Sequence, residues 1–265
     1  MSRSLPIFIR NLFTLADDLD VKVPADTITA LNNAVAVIDQ LDELHTSTQD
    51  VAGAVYRAVL NGKDPLTDPE VERVTKLTAI ASQPIYARAM EHASANLVET
   101  VQAEGDTLVA AFQPRFDSAA QAVADARPVF KAAGIDTLDA SDQIARAGLD
   151  VARANLAARE GNATMTRINQ GLGMVLSAGT NHVRGITATI DPKPGTTRIG
   201  LENQALLAGS RSSMSVWTAT DNGHTVSLAT SDQIAERNER MEAAEYQQQA
   251  DYDRSLSQAA MGVYR

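Results

Sequence analysis

Apolar residues return every third or fourth position along most of the chain, and the longest such stretch, Thr67 to Ala133, is the one around which the other elements organise. It opens with a strong helix-start signal, Thr67-Asp68-Pro69-Glu70: a capping side chain, a proline whose missing N–H costs nothing in the first turn, and carboxylates at the positive end of the helix dipole. Val71, Val74, Leu77 and Ile80 carry the stripe to Gln83-Pro84, where a break is expected. The stripe resumes at Ile85 and continues through Ala89, Ala93, Leu97, Val101, Leu108 and Phe112. Pro114 should reset its direction, and Phe116, Ala119, Val123 and Phe130 lead on to Gly134.

The flanking segments supply partners of the same kind. Pro6, Ile9, Leu12, Phe13 and Ala16 predict a short amphipathic helix that closes at Asp17-Asp18-Leu19-Asp20. After Pro24 a second stripe runs through Ile28, Leu31, Val35, Ile38, Leu41 and Leu44, and resumes after a polar patch at Val51, Val55 and Val59. A bend is expected between His45 and Gln49, and Asn61-Gly62 with Asp64-Pro65 ends the arm, so this segment and the next form a helical hairpin. A further helix opens near Asp139 to Asp142, weakens at Glu160-Gly161-Asn162, and reaches Gly179 by way of Met165, Ile168, Leu172 and Val175.

After Asn181 the period shortens to two. Ile186, Ala188 and Ile190 alternate with threonines, Asp191-Pro192-Lys193-Pro194-Gly195 makes a turn, and Ile199 with Leu201 suggests another strand. Ser215 to Thr220 and Thr225 to Thr230 flank Asn222-Gly223, the pair that favours a type I′ hairpin, with Trp217 expected opposite Leu228 and Ala219 opposite Val226. From Ser231-Asp232 the last segment is helical in period but poor in apolar residues, with Ile234, Met241, Ala244, Tyr252 and Leu256 thinly spaced. The expectation is a mainly α chain: long, Ala-rich antiparallel helices forming a bundle or stalk over residues 1–180, a small β-hairpin-containing region at 181–230, and a polar terminal helix at 231–265.

Composition narrows the function classes. With no cysteine among 265 residues, disulfides, thiolate catalysis and Cys-ligated metals are excluded. A net charge of −10 argues against direct nucleic-acid binding. The uncharged apolar runs are too short for a membrane span, and no small-residue cleavage site follows the apolar patch at Met1 to Phe13, so a soluble protein is expected, cytoplasmic or virion-associated. Aromatics make up only 4%, so the core is drawn from Ala, Val, Leu and Ile, side chains small enough for close helix packing. Eighteen arginines against five lysines, in an Ala-rich chain, suit a GC-rich coding genome, and a phage virion or assembly component is one setting for it.

Candidate chemistry is sparse. The histidines His45, His92, His182 and His224 share no metal-ligand spacing, Asp17, Asp18 and Asp20 lack the glycine and distal glutamate of a calcium loop, and Gly171-Leu172-Gly173 follows no strand. Ser210, Ser212, Ser213 and Ser215 around Arg211 read as a connecting loop. No catalytic residue, metal or cofactor is assigned. The reading is a non-enzymatic structural or assembly protein that self-associates or docks in a larger complex, with Phe8, Phe13, Trp217, Leu228, Met241, Tyr246, Tyr252 and Tyr264 as candidate interface residues. Two alternatives stand beside it: a helical-bundle enzyme or ligand binder with a pocket near Arg88, Glu91 and His92 or beneath the hairpin, and a regulatory adaptor that acts through residues 1–20.

Overall fold

The computed structural model describes residues 4–44, 48–179, 186–207 and 214–262, and is 80% helical. In chain order it contains α1 (Ser4–Asp18), α2 (Ala25–Glu43), α3 (Thr48–Leu60), α4 (Pro69–Ala81), α5 (Pro84–Ala132), α6 (Ser141–Ala147) and α7 (Leu149–Gly179). A 3-10 turn at Ile186–Ala188, β1 (Ile190–Asp191), α8 (Arg198–Leu207), α9 (Val216–Asp221), β2 (Thr225–Val226) and α10 (Ser231–Gly262) complete it. The chain is thus mainly α, with a small antiparallel sheet and a long polar terminal helix.

The helix starts follow the local chemistry. Asp68 caps α4, its Oδ1 accepting from Glu70 N–H at 2.9 Å and Val71 N–H at 3.3 Å, with Pro69 in the first turn. Pro84 separates α4 from α5, as its missing donor requires.

Inside α5 the expectation fails, because the helix runs unbroken for 49 residues with both Pro114 and Pro128 in its interior. An interior proline costs about 3 kcal/mol. Phe112, Phe116, Val123 and Phe130 lie on one stripe and are all essentially fully buried, and each such side chain returns about 1.5–3 kcal/mol on burial. Packing along the stripe therefore outweighs the two lost hydrogen bonds. Conversely, the helix expected from near Asp139 to Gly179 is split where no break was expected: Gly148, at φ 97°, takes a conformation that side-chain-bearing residues rarely adopt and separates α6 from α7. Gly161, read as a weak point, lies within α7, where a Cβ would sit 2.5 Å from the Ala119 carbonyl oxygen of α5. Its role is close approach between the two helices.

The segment around Asn222-Gly223 is the main correction. Val216–Asp221 is helical, capped by Ser215, whose hydroxyl accepts from Thr218 N–H at 3.1 Å. Only Gly223 has a positive φ, 77°; Asn222 sits at −89°, which a type I′ turn does not allow. The strand that does form, Thr225–Val226, pairs with Ile190–Asp191 in the register Ile190 to Val226 and Asp191 to Thr225. Ile199 and Leu201 likewise belong to a helix, α8.

The chain divides into two compact units. The first comprises Met1–Thr14, Val23–Gly105 and Met174–Asn181. Its buried residues include Ile9 and Leu12 of α1, Leu31 and Ile38 of α2, and Leu97 and Val101 of α5. Arg10 pairs with Asp39, and the buried Thr27 donates to Glu104 Oε2 at 2.6 Å. Here α3 packs on α4 through small residues, Ala54 and Ala58, with Val74 on the α4 side also buried.

The second unit comprises Leu15–Lys22, Asp106–Gly173 and His182–Arg265. One of its cores gathers Ile186, Ile190, Leu201, Ala205, Met214, Ala219 and Met241, with Val226 against it. A second contact is aromatic. Trp217 Nε1–H donates to the Val123 carbonyl at 3.0 Å, its ring meets Phe130 edge-on at 5.0 Å, and the Arg127 guanidinium lies 4.9 Å from the indole centroid.

Candidate interaction surfaces

Within the second unit, the first third of α10 is tied down by polar bonds. Thr230 and Gln233 form a capping box: Thr230 N–H donates to Gln233 Oε1 at 2.9 Å, and Gln233 N–H to Thr230 Oγ1 at 3.4 Å. Ser231 N–H donates to Asp106 Oδ1 at 2.8 Å, and Leu228 N–H to Asp117 Oδ1 at 3.1 Å. Arg237, almost wholly buried, donates to the Thr187 carbonyl at 2.8 Å, the Ser227 carbonyl at 3.2 Å and the Ser227 hydroxyl at 2.6 Å. Burial holds its pKa below the usual arginine range, opposed by Asp191 at 3.8 Å. Burial also raises the Asp117 carboxyl, against the pull of the Leu228 N–H and of Arg237.

Past Met241 the same helix loses its cover. Side chains from Tyr246 to Leu256 are all exposed, Tyr246 to 78% of its surface. At 100° per residue, Tyr252 falls within about 20° of the Met241 direction. The face that is buried at Met241 thus continues outward as Tyr252, with Leu256 one turn further along.

The first unit carries a different exposed surface at the tip of the α3–α4 hairpin. Tyr56, Val59, Leu60 and Leu66 are between 60% and 93% exposed, while Ala54 and Ala58 of α3 are buried. Val51 and Val55 are half-buried on the same helix, so the large apolar side chains without cover are those toward its C-terminal end, and grouped exposed apolar residues mark contact surfaces. Val59, expected on the buried stripe, belongs to this tip. The sequence signal for it was available in Tyr56 and Leu60, one turn apart and off the Val51–Val55 line, and in Leu66 standing alone in a polar turn. Charge at the tip balances, Arg57 and Lys63 against Asp64 and Asp68, with Lys63 3.4 Å from Asp68.

The sequence-derived interface candidates lie in different surroundings. Leu228 and Met241 are buried inside their own unit, and Trp217 is half-buried and occupied by Val123, Phe130 and Arg127. Phe8 and Phe13 are half-buried on α1. Tyr246 and Tyr252 face solvent, and Tyr264 lies outside the described residues. Arg88, Glu91 and His92 are exposed side chains of α5, and the place assigned to a pocket beneath a hairpin has no hairpin above it. His45, His182 and Ser210 to Ser213 lie outside the described residues.

Among the described residues no group of three metal-ligating side chains comes together. No helix there is long and apolar enough to cross a membrane. A hollow of the second unit, about 720 Å³, borders Pro114, which has no N–H to offer the Ala110 carbonyl one turn back. Its ionisable lining, Asp18, Asp20, Lys22 and Arg115, is solvent-exposed and balanced in charge, and Asp18 is paired with Arg167 at 2.6 Å. Comparison with family models, with curated proteins and with solved structures finds no match for the chain.

Proposed function

We propose that the chain is a structural or assembly protein that self-associates through the tip of the α3–α4 hairpin and presents the outer part of α10 as an arm for neighbours in a larger complex, a virion among the candidates. The observation that carries this reading is the tip of the hairpin, where Ala54 and Ala58 of α3 are buried while Tyr56, Val59, Leu60 and Leu66 are exposed. Two copies meeting tip to tip cover those four side chains, and the balanced charge there removes the like-charge repulsion that a chain of net charge −10 otherwise meets. The arm supports the reading because an isolated helix of its length is marginal in water and gains most from a partner's surface.

Sedimentation velocity across a micromolar concentration series tests it. The full chain is expected to sediment as a species larger than the monomer, and Leu60→Glu with Leu66→Glu to return it to the monomer without loss of helicity. A monomer at every concentration for the unaltered chain overturns the proposal.

A further inference from the structure

His224 occupies the loop between α9 and β2 and is only 5% exposed. Its backbone N–H donates to the Ala219 carbonyl at 2.8 Å, which holds the residue against the end of α9. Both ring nitrogens are engaged. Nδ1 accepts from the Lys193 backbone N–H at 3.2 Å, and Nε2 lies 2.6 Å from Gln204 Oε1 of α8. An amide oxygen accepts only, so Nε2 carries the proton and Nδ1 keeps its lone pair. The two bonds therefore require one neutral tautomer, and that tautomer clips the turn after β1 to α8.

We propose that His224 is an acid-released latch: while neutral it pins the turn 192–196 to α8, and on taking a proton at Nδ1 it lets that turn go. The proton would occupy the lone pair that accepts from Lys193, so that a donor faces a donor and the bond is lost. The cation would also meet the Lys193 ammonium, which already bears on the ring. Among the described residues no carboxylate stands ready to compensate. Asp191 is held by Arg240 and lies near Arg237, Asp221 by Arg127 and Lys131, and Glu202 by Arg198, while Gln204 is neutral. Burial first, and Lys193 second, hold the imidazole below the ordinary histidine range of about 6.5, which leaves it neutral at pH 7. With the folded pKa lowered, the latch contributes stability above the unfolded value of about 6.5 and loses it as pH falls below that. The released turn, Pro192 to Thr196, is one wall of a cavity of about 210 Å³ whose other side is Arg240, Met241 and Ala243. Acid thus uncovers the flank of α10 at the point where the helix leaves its core.

Nuclear magnetic resonance of the full chain between pH 7.5 and pH 4.5 tests this, following the His224 ring and the hydrogen exchange of the Lys193 amide, corrected for intrinsic exchange. The expected result is a ring midpoint below 6.5, with Lys193 protection falling about tenfold or more across it while the Leu97 amide of α5 keeps its protection. His224→Asn retains an acceptor but cannot titrate, and should abolish the fall. Should that variant not fold, Gln204→Glu sets a carboxylate against Nε2–H and should move the midpoint up by about one unit. A ring midpoint at or above 6.5, or Lys193 protection that ignores it, overturns the latch.

Discussion

Between Ser231 and Met241, α10 is bonded to residues far away in the chain: Ser231 to Asp106, 125 positions off, and Arg237 to Thr187, 50 positions off. Between Tyr246 and Leu256 the bonds Gln247–Asp251, Gln249–Asp253 and Arg254–Asp251 reach three or four residues along the same helix. The local pairs are worth roughly 0.2–0.5 kcal/mol each, whereas a buried hydrogen bond to a charged group is worth about 1.5–3 kcal/mol. One continuous helix is therefore anchored by tertiary contacts over its first four turns, as far as Glu245, which accepts from the Arg198 N–H at 3.0 Å, and held by propensity beyond them. A surface that costs little to keep exposed and little to reorganise is the kind that a partner can use.

If that contrast holds, substitution in the anchored part should be the more damaging by a wide margin. Arg237→Ala leaves the buried Thr187 carbonyl and the half-buried Ser227 carbonyl without their donor and should cost on the order of 3 kcal/mol in urea unfolding. Arg237→Met, which keeps the stem but not the donors, should recover only part of it. A loss under about 1 kcal/mol for the alanine variant would remove the distinction between the two parts of the helix.

Next in size is a long-range pair elsewhere in the same unit. Asp221 bonds Arg127 at 2.7 Å and Lys131 at 2.6 Å, and the Arg127 bond foremost lowers its pKa to about 2. A depressed carboxylate stabilises above its unfolded value and loses that contribution as pH falls through the folded one. Acid titration of unfolding should show about 2 kcal/mol disappearing between pH 4 and pH 2, somewhat less because the side chain is 30% exposed. Asp221→Asn should flatten the curve in that window.

The smallest effect belongs to the arm. Tyr252→Ala and Leu256→Ala should each leave unfolding within about 0.5 kcal/mol, because neither side chain is covered within the chain. A loss above 1 kcal/mol in dilute monomer would show that the outer half is packed after all.

Much of the helical architecture could be read along the chain. The Asp68-Pro69 start, the break at Pro84 and the ends after Asp18 and Leu60 follow from capping and from the missing proline donor, which act within one turn. Leu97, Phe112 and Ile168 were legible as core because helical periodicity puts them on a single stripe. The misreadings have a common origin. Asn222-Gly223 carries a strong local hairpin signal, yet the Ser215 cap and the burial of Val216 and Ala219 make the preceding segment helical, and Trp217 finds Val123 and Phe130 of α5. Pro114 signals a stop that the burial of Phe112 and Phe116 overrides. Gly161 looks like flexibility until Ala119 is seen opposite it.

The candidate surfaces divide the same way. That α10 lacks apolar residues enough to bury itself is a property of its composition, and its exposed outer half accords with that. That α3 buries Ala54 and Ala58 and leaves Tyr56 and Leu60 outside depends on which face α4 meets. So does the convergence on His224 of Lys193 and Gln204, which lie 31 and 20 positions away. The sequence by itself determined the capped and proline-marked helix starts and which stripes are apolar, since caps, prolines and periodicity act over a few residues. Which stripe is covered, which proline is tolerated and which histidine is clamped were decided only by tertiary structure, because burial and unpaired donors acquire their free-energy cost from groups that the chain brings back from a distance.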